Sequence, residues 1–174
     1  AGALPDMTAA ARRALRDEAE AEGIQLTCCM GLDPAHDVSS ADEAVRREGV
    51  RYVGEVLDCI HEIGSRVFSG INYAYWPMQG APDYDAKMAA RERSLRSLRE
   101  ILGRAEQYGI AYCLEIVNRF EQCILNTAAE GVDYLRELDH PAAKLLLDTF
   151  HMNIEEDSFA DAIRTAKGLL GHFH

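Results

Sequence analysis

Apolar and polar positions along this chain follow two alternating patterns. Four short runs are rich in apolar residues, as expected of buried strands, and they span 24–30, 67–73, 110–117 and 144–150, while the final residues, GHFH at 171–174, look like the beginning of a fifth strand. Between these runs, apolar residues recur at the three- and four-residue spacing of amphipathic helices. Because apolar strands alternate with such helices, the pattern predicts parallel βα units with right-handed crossovers.

Local signals mark where the helices begin and end. Ser40 with Glu43, and Thr127 with Glu130, have the spacing of capping boxes, and Ser158 is a predicted N-cap. The glycines predicted to end helices are Gly23, Gly64 and Gly109. The predicted helices cover 7–22, the stretch between 40 and 64, 86–107, 127–138 and 158–170.

Two α/β architectures fit five strands separated by helices: an open doubly wound sheet and a (β/α)8 TIM barrel. Neither GxGxxG nor GxxxxGK[ST] occurs in the chain, which argues against a nucleotide-binding open sheet. A closed barrel usually takes about 200–250 residues, whereas this chain has 174. On the barrel interpretation, residues 1–174 are expected to form a single, incomplete TIM-barrel domain.

Charge and cysteine content narrow the class of protein. The chain has 18 Lys and Arg against 29 Asp and Glu, a formal net charge of -11, which opposes nucleic acid binding. No apolar run approaches the roughly 18–20 residues of a membrane-spanning helix, and the first residues lack a secretory signal pattern. The number of cysteines, five, is odd, and no CxxC motif occurs. Both observations argue against a disulfide framework or a zinc site built from thiolates, so we expect reduced thiols. We therefore expect a cytoplasmic protein with no membrane partner.

Polar side chains stand near the ends of three consecutive predicted strands. Glu115 and Asp148 lie in otherwise apolar runs, and His172 and His174 lie in the last one. An isolated buried carboxylate is often the structural partner of an arginine or a backbone N–H. Two carboxylates and a histidine on successive barrel strands converge at one rim, which favours a divalent metal such as Mn²⁺, Co²⁺ or Mg²⁺. Only one of the two histidines is needed as a ligand.

Other polar and aromatic features allow two interpretations. Tyr73, Tyr75 and Trp76 could form the wall of a ligand site or anchor a loop. Cys28 and Cys29 could line a pocket, although buried inert thiols are more common. The acidic run at 155–157 is predicted to interact favourably with the N-terminus of the following helix.

Two stretches closely resemble the ketose 3-epimerases, the family of D-tagatose 3-epimerase and D-psicose (allulose) 3-epimerase in the sugar phosphate isomerase/epimerase TIM-barrel superfamily. They are LEIVNRFEQCILNTAAEG at 114–131 and LLLDTFHMNIEEDSFADAIRTAKGLLGHFH at 145–174. The upstream segments LTCCMGL and FSGINYAYWP are similar to the family's second and third strands. The resemblance thus implies strands two to six of an eight-stranded barrel.

The same resemblance implies specific site residues. One divalent metal, Mn²⁺ or Co²⁺ with Mg²⁺ as an alternative, is held by Glu115, Asp148 and His174. Glu121 and His151 match residues that contact the oxygens of the sugar. The remaining positions that match the substrate pocket are Cys29, Gly70 and Trp76. The family's second catalytic glutamate and a substrate-binding arginine match no position of this sequence.

The implied activity is metal-dependent epimerisation of free ketohexoses at C3, which interconverts D-tagatose with D-sorbose and D-fructose with D-psicose. Glu115 is one of two carboxylates that remove and return the C3 proton through an enediolate, while the metal acts as a Lewis acid. Because the second carboxylate is not in this sequence, the 174-residue polypeptide is expected to be inactive and its full-length parent active. The resemblance also implies a small-molecule ketose as partner and a homodimer or homotetramer.

Three alternatives remain open. An aldose–ketose isomerase of the same superfamily would use the same metal site, and product analysis distinguishes it. An endonuclease IV-like phosphodiesterase normally needs more metal ligands and a basic face, which the net charge of -11 opposes. A truncated half-barrel with unpaired edge strands could lack catalytic function and self-associate.

Overall fold

A computed structural model describes residues 4–78 and 80–174. Five parallel strands lie side by side in sequence order: β1 Cys28–Cys29, β2 Val67–Gly70, β3 Ala111–Ile116, β4 Ala143–Leu147 and β5 Leu170–Phe173. Each neighbouring pair is parallel, and a helix connects one strand to the next. The sheet is a curled partial barrel, which confirms the predicted α/β TIM-barrel fold class.

Within the described residues, six α-helices accompany the sheet: α1 Ala9–Ala21, α2 Glu43–Glu62, α3 Tyr84–Tyr108, α4 Ala128–Leu138, α5 Thr149–Glu155 and α6 Phe159–Thr165. The described residues also form two short 3-10 helices, at Leu4–Asp6 and Pro34–His36. The predicted capping box at α4 is present, because the Thr127 hydroxyl accepts from the Glu130 N–H and the Glu130 carboxylate accepts from the Thr127 N–H. Ser158 is the N-cap of α6, as predicted.

Several predicted element boundaries were wrong. The capping box predicted at Ser40 and Glu43 was wrong, because Asp42 is the N-cap of α2 and accepts from the Ala44 N–H at 2.8 Å. The Ser40 hydroxyl instead accepts from the Asp42 N–H. The apolar runs are longer than the strands they contain, since β1 pairs with β2 only over two residues. The last predicted helix ends at Thr165, and the chain enters β5 at Leu170.

Helix α4 packs closely on the strands that carry the polar residues. A Cβ atom at Gly131 would lie 2.6 Å from Ile116 Cδ1 and 3.0 Å from Leu145 Cδ2, so the helix backbone lies directly over β3 and β4. Both leucines of β4 that face the helices, Leu145 and Leu147, are fully buried. This packing fixes β3 and β4 side by side and sets the position of the residues at their carboxyl ends.

We expect Thr127→Ala to lower the free energy of unfolding by about 1 kcal/mol, since the substitution removes one half of the α4 capping box. Urea unfolding followed by circular dichroism measures the change. Thr165→Ala is the matched control, because Thr165 is an exposed residue in the last turn of α6. Equal effects of the two substitutions would contradict the stabilising role of the cap.

Candidate metal and substrate site

Glu115 reaches the site from the carboxyl end of β3. Its backbone pairs with Leu146 of β4, and its carbonyl accepts a hydrogen bond of 3.1 Å from the fully buried Tyr73 hydroxyl. Only 6% of the residue is exposed. The strand pairing and the tyrosine therefore hold Glu115 in one place at the edge of the barrel interior.

Asp148 and His174 follow the last paired residues of β4 and β5. The N–H of His174 donates to the Leu147 carbonyl at 3.0 Å, and the His174 carbonyl accepts from the Thr149 N–H at 3.0 Å. Asp148 is the N-cap of α5, where its Oδ1 accepts from the Phe150 N–H at 2.7 Å. Its Oδ2 lies 3.7 Å from His174 Nδ1, which leaves this oxygen directed at the histidine.

Glu115, Asp148 and His174 form a group with the geometry of a divalent-cation site. One ligand atom from each residue lies within 4.8 Å of the other two. Two carboxylate oxygens and one imidazole nitrogen are donors that suit Mn²⁺, Co²⁺ and Mg²⁺. Two negative charges at this separation repel each other, and a bound cation would remove that repulsion. The three residues thus fit a metal, as a set brought together from three successive strand ends.

The electrostatics of the site are visible at Glu115. Burial, together with the smaller effects of the neighbouring Asp148 and Glu121 charges, raises the pKa of its carboxyl to about 7. The charged form is disfavoured because it loses hydration and faces like charges. Without a cation, Glu115 therefore exchanges its proton close to neutral pH.

This raised pKa predicts a pH-dependent stability of the metal-free protein. Because the folded state holds the Glu115 proton more tightly than the unfolded state, stability decreases as pH rises from about 4.5 to about 7 and stays lower above that. A pKa difference of this size corresponds to about 3 kcal/mol. Glu115→Gln should remove this loss of stability, because glutamine does not titrate. The variant should therefore have a higher free energy of unfolding than the parent at pH 8 and a similar one at pH 4.5.

Urea unfolding of both proteins with EDTA at the two pH values tests the prediction. Glu92→Gln, an exposed change on α3, is the matched control and should leave the pH dependence unchanged. A Glu115→Gln variant that gains no stability at pH 8 relative to pH 4.5 would contradict the raised pKa.

A second group of polar side chains borders the metal site. Asn118, in the loop after β3, donates through Nδ2 to Glu121 Oε1 and to His151 Nδ1, each at 2.8 Å. The other ring nitrogen of His151, Nε2, lies 3.7 Å from Glu115 Oε1. Trp76 donates from its indole Nε1 to Glu121 Oε2 at 3.0 Å. Glu121, His151 and Trp76 therefore meet beside Glu115.

The other two predicted pocket residues lie on β1 and β2. Cys29, the last residue of β1, is an exposed residue; partial burial of its thiol raises its pKa, and the charges of Glu115 and Asp148 add to this effect. Gly70 ends β2 with a φ of 114°, and a side chain there would collide with the Met30 backbone. The geometry of Gly70 reflects the close approach of two strands.

Two histidines at the end of β5 have different positions. His172 and His174 lie on the same side, with ring centroids 5.0 Å apart, as the period of the strand predicts. His174 belongs to the group whose ligand atoms lie within 4.8 Å of one another, with Glu115 and Asp148. His172 does not belong to that group. Burial lowers the pKa of His172, and the adjacent His174 adds to this effect.

Sequence reasoning missed the contacts of three polar residues that hold the site loops. Glu155 has a buried side chain that binds Arg119 through both carboxylate oxygens, with an Nη2–Oε2 distance of 2.6 Å. Glu156 accepts from the Ala128 N–H at 2.6 Å, at the N-terminus of α4. The acidic run was predicted to face the following helix, but its second residue interacts with α4, 28 residues earlier. Asn118 lies inside the recognisable NRFE motif, which was the available signal.

Comparisons with known proteins agree with this geometry. The family model described as xylose isomerase-like TIM barrel matches residues 2–174. Among curated proteins, the chain is 42% identical over 156 residues to a D-psicose 3-epimerase of Ruminiclostridium cellulolyticum, covering 90% of this chain and 53% of the relative. It is 41% identical over 160 residues to a D-psicose 3-epimerase of Agrobacterium fabrum, covering 92% and 55%. The chain thus spans about half the length of these curated relatives.

A solved structure gives the same likeness in three dimensions. A crystal structure of a D-psicose 3-epimerase in the presence of D-fructose superposes with a TM-score of 0.94 at 39% identity. The match covers 98% of this chain and 59% of that one. Among the residues described here, no helix is long and apolar enough to cross a membrane.

Proposed function

The chain belongs to the xylose isomerase-like TIM-barrel family, and from this premise we propose that the whole protein is a divalent-metal-dependent ketose 3-epimerase. The observation that carries the proposal is the convergence of Glu115, Asp148 and His174 within 4.8 Å, with Glu121 and His151 beside them. Relatives about 40% identical to the chain are named D-psicose 3-epimerases. We place residues 1–174 in a single TIM-barrel domain.

Glu115 is the proposed acid/base group of this chain. Epimerisation at C3 of a ketose removes the proton next to the C2 carbonyl and returns one to the opposite face. A group that accepts and returns a proton works best when its pKa lies near the working pH, and the pKa of the Glu115 carboxyl is raised to about 7. A second carboxylate on the opposite face of the sugar completes the exchange.

Asp148 and His174, together with Glu115, would hold the metal. A bound Mn²⁺ or Co²⁺, or Mg²⁺ as an alternative, supplies Lewis-acid stabilisation of negative charge that develops on the substrate oxygens. Asp148 is preset for this task because its Oδ1 is used in the α5 cap while Oδ2 remains directed at His174. His174 is preset by the two backbone hydrogen bonds that extend the pairing of β4 with β5.

Glu121 and His151 would bind and orient the sugar hydroxyls. The Glu121 carboxylate is held through one oxygen by Asn118 and through the other by Trp76, so its remaining lone pairs have a fixed direction. Cys29 would line the same pocket, and Gly70 would contribute through its backbone. Positioning of this kind lets a site hold a flexible sugar in one reactive orientation.

The test is product analysis with the whole protein, Mn²⁺ and D-fructose in D₂O. We expect D-psicose with deuterium at C3, detected by NMR, and the reverse reaction from D-psicose. D-Tagatose should give D-sorbose. Formation of an aldose with deuterium at C1 or C2 would instead identify an aldose–ketose isomerase, and no exchange with any ketose would contradict the proposal.

The assembly and the cellular location are further parts of the proposal. We propose that the whole protein is a cytoplasmic homodimer or homotetramer and that its partner is a free sugar. Nucleic acid partners are disfavoured by the formal net charge of -11. Sedimentation velocity of the whole protein at micromolar concentration tests the assembly. A single monomeric species across the concentration range would contradict it.

A further inference from the structure

The amide of Asn118 has only one orientation that satisfies its neighbours. Its Oδ1 accepts from the Phe120 N–H at 3.0 Å, and its Nδ2 donates to Glu121 Oε1 at 2.8 Å. A backbone N–H can only donate, and an ionised carboxylate can only accept, so exchanging oxygen and nitrogen would break both contacts. Asn118 is 2% exposed, so bulk solvent has little access to its amide.

This fixed amide determines which nitrogen of His151 carries the proton. Asn118 Nδ2 lies 2.8 Å from His151 Nδ1, and the Asn118 backbone N–H donates to the same nitrogen at 3.3 Å. Because both groups are donors, Nδ1 must accept, and a neutral ring then carries its hydrogen on Nε2. That nitrogen faces Glu115 Oε1 at 3.7 Å, a separation that leaves room for a ligand atom to approach both groups.

We propose that Asn118 is a positioning residue that holds His151 in the Nε2–H tautomer, so that His151 offers the substrate a hydrogen-bond donor beside Glu115. In this state neither ring nitrogen has a free lone pair facing the site. His151 therefore binds a sugar oxygen and does not compete with Glu115 for the proton. The role toward the sugar rests on the proposed epimerase function, whereas the tautomer is a property of the chain by itself.

The tautomer is measurable by long-range ¹H–¹⁵N NMR of the metal-free protein, labelled at histidine and held at pH 8.5, where histidines in general are neutral. The His151 signals are identified by their loss in His151→Gln. We expect the Nε2–H pattern in the parent protein. In Asn118→Asp the side-chain donor at 2.8 Å becomes an acceptor and only the longer backbone contact of 3.3 Å still favours Nε2–H, so the share of the Nδ1–H form should rise.

Asn153→Asp is the matched control, because it makes the same change at an exposed position of α5. It should leave the His151 tautomer unchanged. An Nδ1–H pattern in the parent protein would overturn the proposal, and so would an Asn118→Asp variant in which the share of the Nδ1–H form does not rise. If Asn118→Asp does not fold, the NMR spectrum of the parent protein still decides the His151 tautomer, and the kinetics of the His151 variants decide its donor role.

Kinetics of His151 variants of the whole protein test the donor role. Glutamine can place an amide N–H near the position of Nε2–H but cannot transfer a proton as imidazole does. We expect His151→Gln to keep kcat within about tenfold of the parent, and His151→Leu to lose about 100-fold or more. Equal losses in both variants would overturn the donor role. If the parent protein does not epimerise ketoses, the proposed function fails while the NMR result still decides the tautomer.

Discussion

Glu115→Gln should lower the rate of C3 proton exchange by about 1,000-fold or more in the whole protein with saturating Mn²⁺. The expected size follows from the two roles proposed for this carboxylate, as acid/base group and as one of the three residues that could hold the metal. Glutamine keeps the shape of the side chain and one oxygen, but it cannot accept a proton. The measurement is the incorporation of deuterium at C3 of D-fructose, followed by NMR.

The control for this substitution is Glu92→Gln, which makes the same chemical change on the exposed face of α3 and should leave the exchange rate unchanged. Titrating Mn²⁺ to saturation in both variants separates weakened metal binding from lost proton transfer. A Glu115→Gln protein that exchanges the C3 proton within tenfold of the parent would refute the assignment of Glu115 as acid/base group.

Asp148→Asn should weaken Mn²⁺ binding by at least about 100-fold, which corresponds to about 2.7 kcal/mol. The substitution removes one of the two negative charges in the ligand group. It leaves an oxygen that can still accept from the Phe150 N–H and cap α5, so the loss reports on the metal site and not on folding. Isothermal titration calorimetry with MnCl₂ measures the affinity, and circular dichroism checks the fold.

Asp157→Asn is the matched control for the second prediction, because Asp157 is an exposed carboxylate in the same part of the chain. Its Mn²⁺ affinity should stay within about twofold of the parent, since an exposed charge is screened by solvent. Unchanged Mn²⁺ binding in Asp148→Asn would remove Asp148 from the ligand group and require another arrangement of donors.

The sequence by itself determined the elements whose signals are local. Amphipathic spacing and the capping box at Thr127 and Glu130 predicted α4, because a helix and its cap are set by residues within a few positions of one another. Four apolar runs and the beginning of a fifth strand at 171–174 predicted five parallel strands. The polar residues Glu115 and Asp148 and the histidines of the last run were detectable because they interrupt strands that are otherwise buried.

Element boundaries needed the tertiary structure even where the element was predicted. The apolar run at 24–30 contains only a two-residue strand, since β1 ends where its pairing with β2 ends. Asp42 and not Ser40 caps α2, although both residue types are good caps. The choice depends on where the preceding turn places the chain, which residue spacing does not encode.

The contacts that orient the site could not be read from spacing at all. Glu155 binds Arg119 and Asn118 binds His151, pairs that are 36 and 33 residues apart. The raised pKa of Glu115 likewise depends on burial and on the nearness of Asp148 and Glu121. Periodicity shows which face of a strand is buried, but packing decides which distant side chains share that space. The sequence therefore determined the strands and the residue types of the candidate site, whereas the tertiary structure decided the distances, hydrogen bonds and burial of those residues.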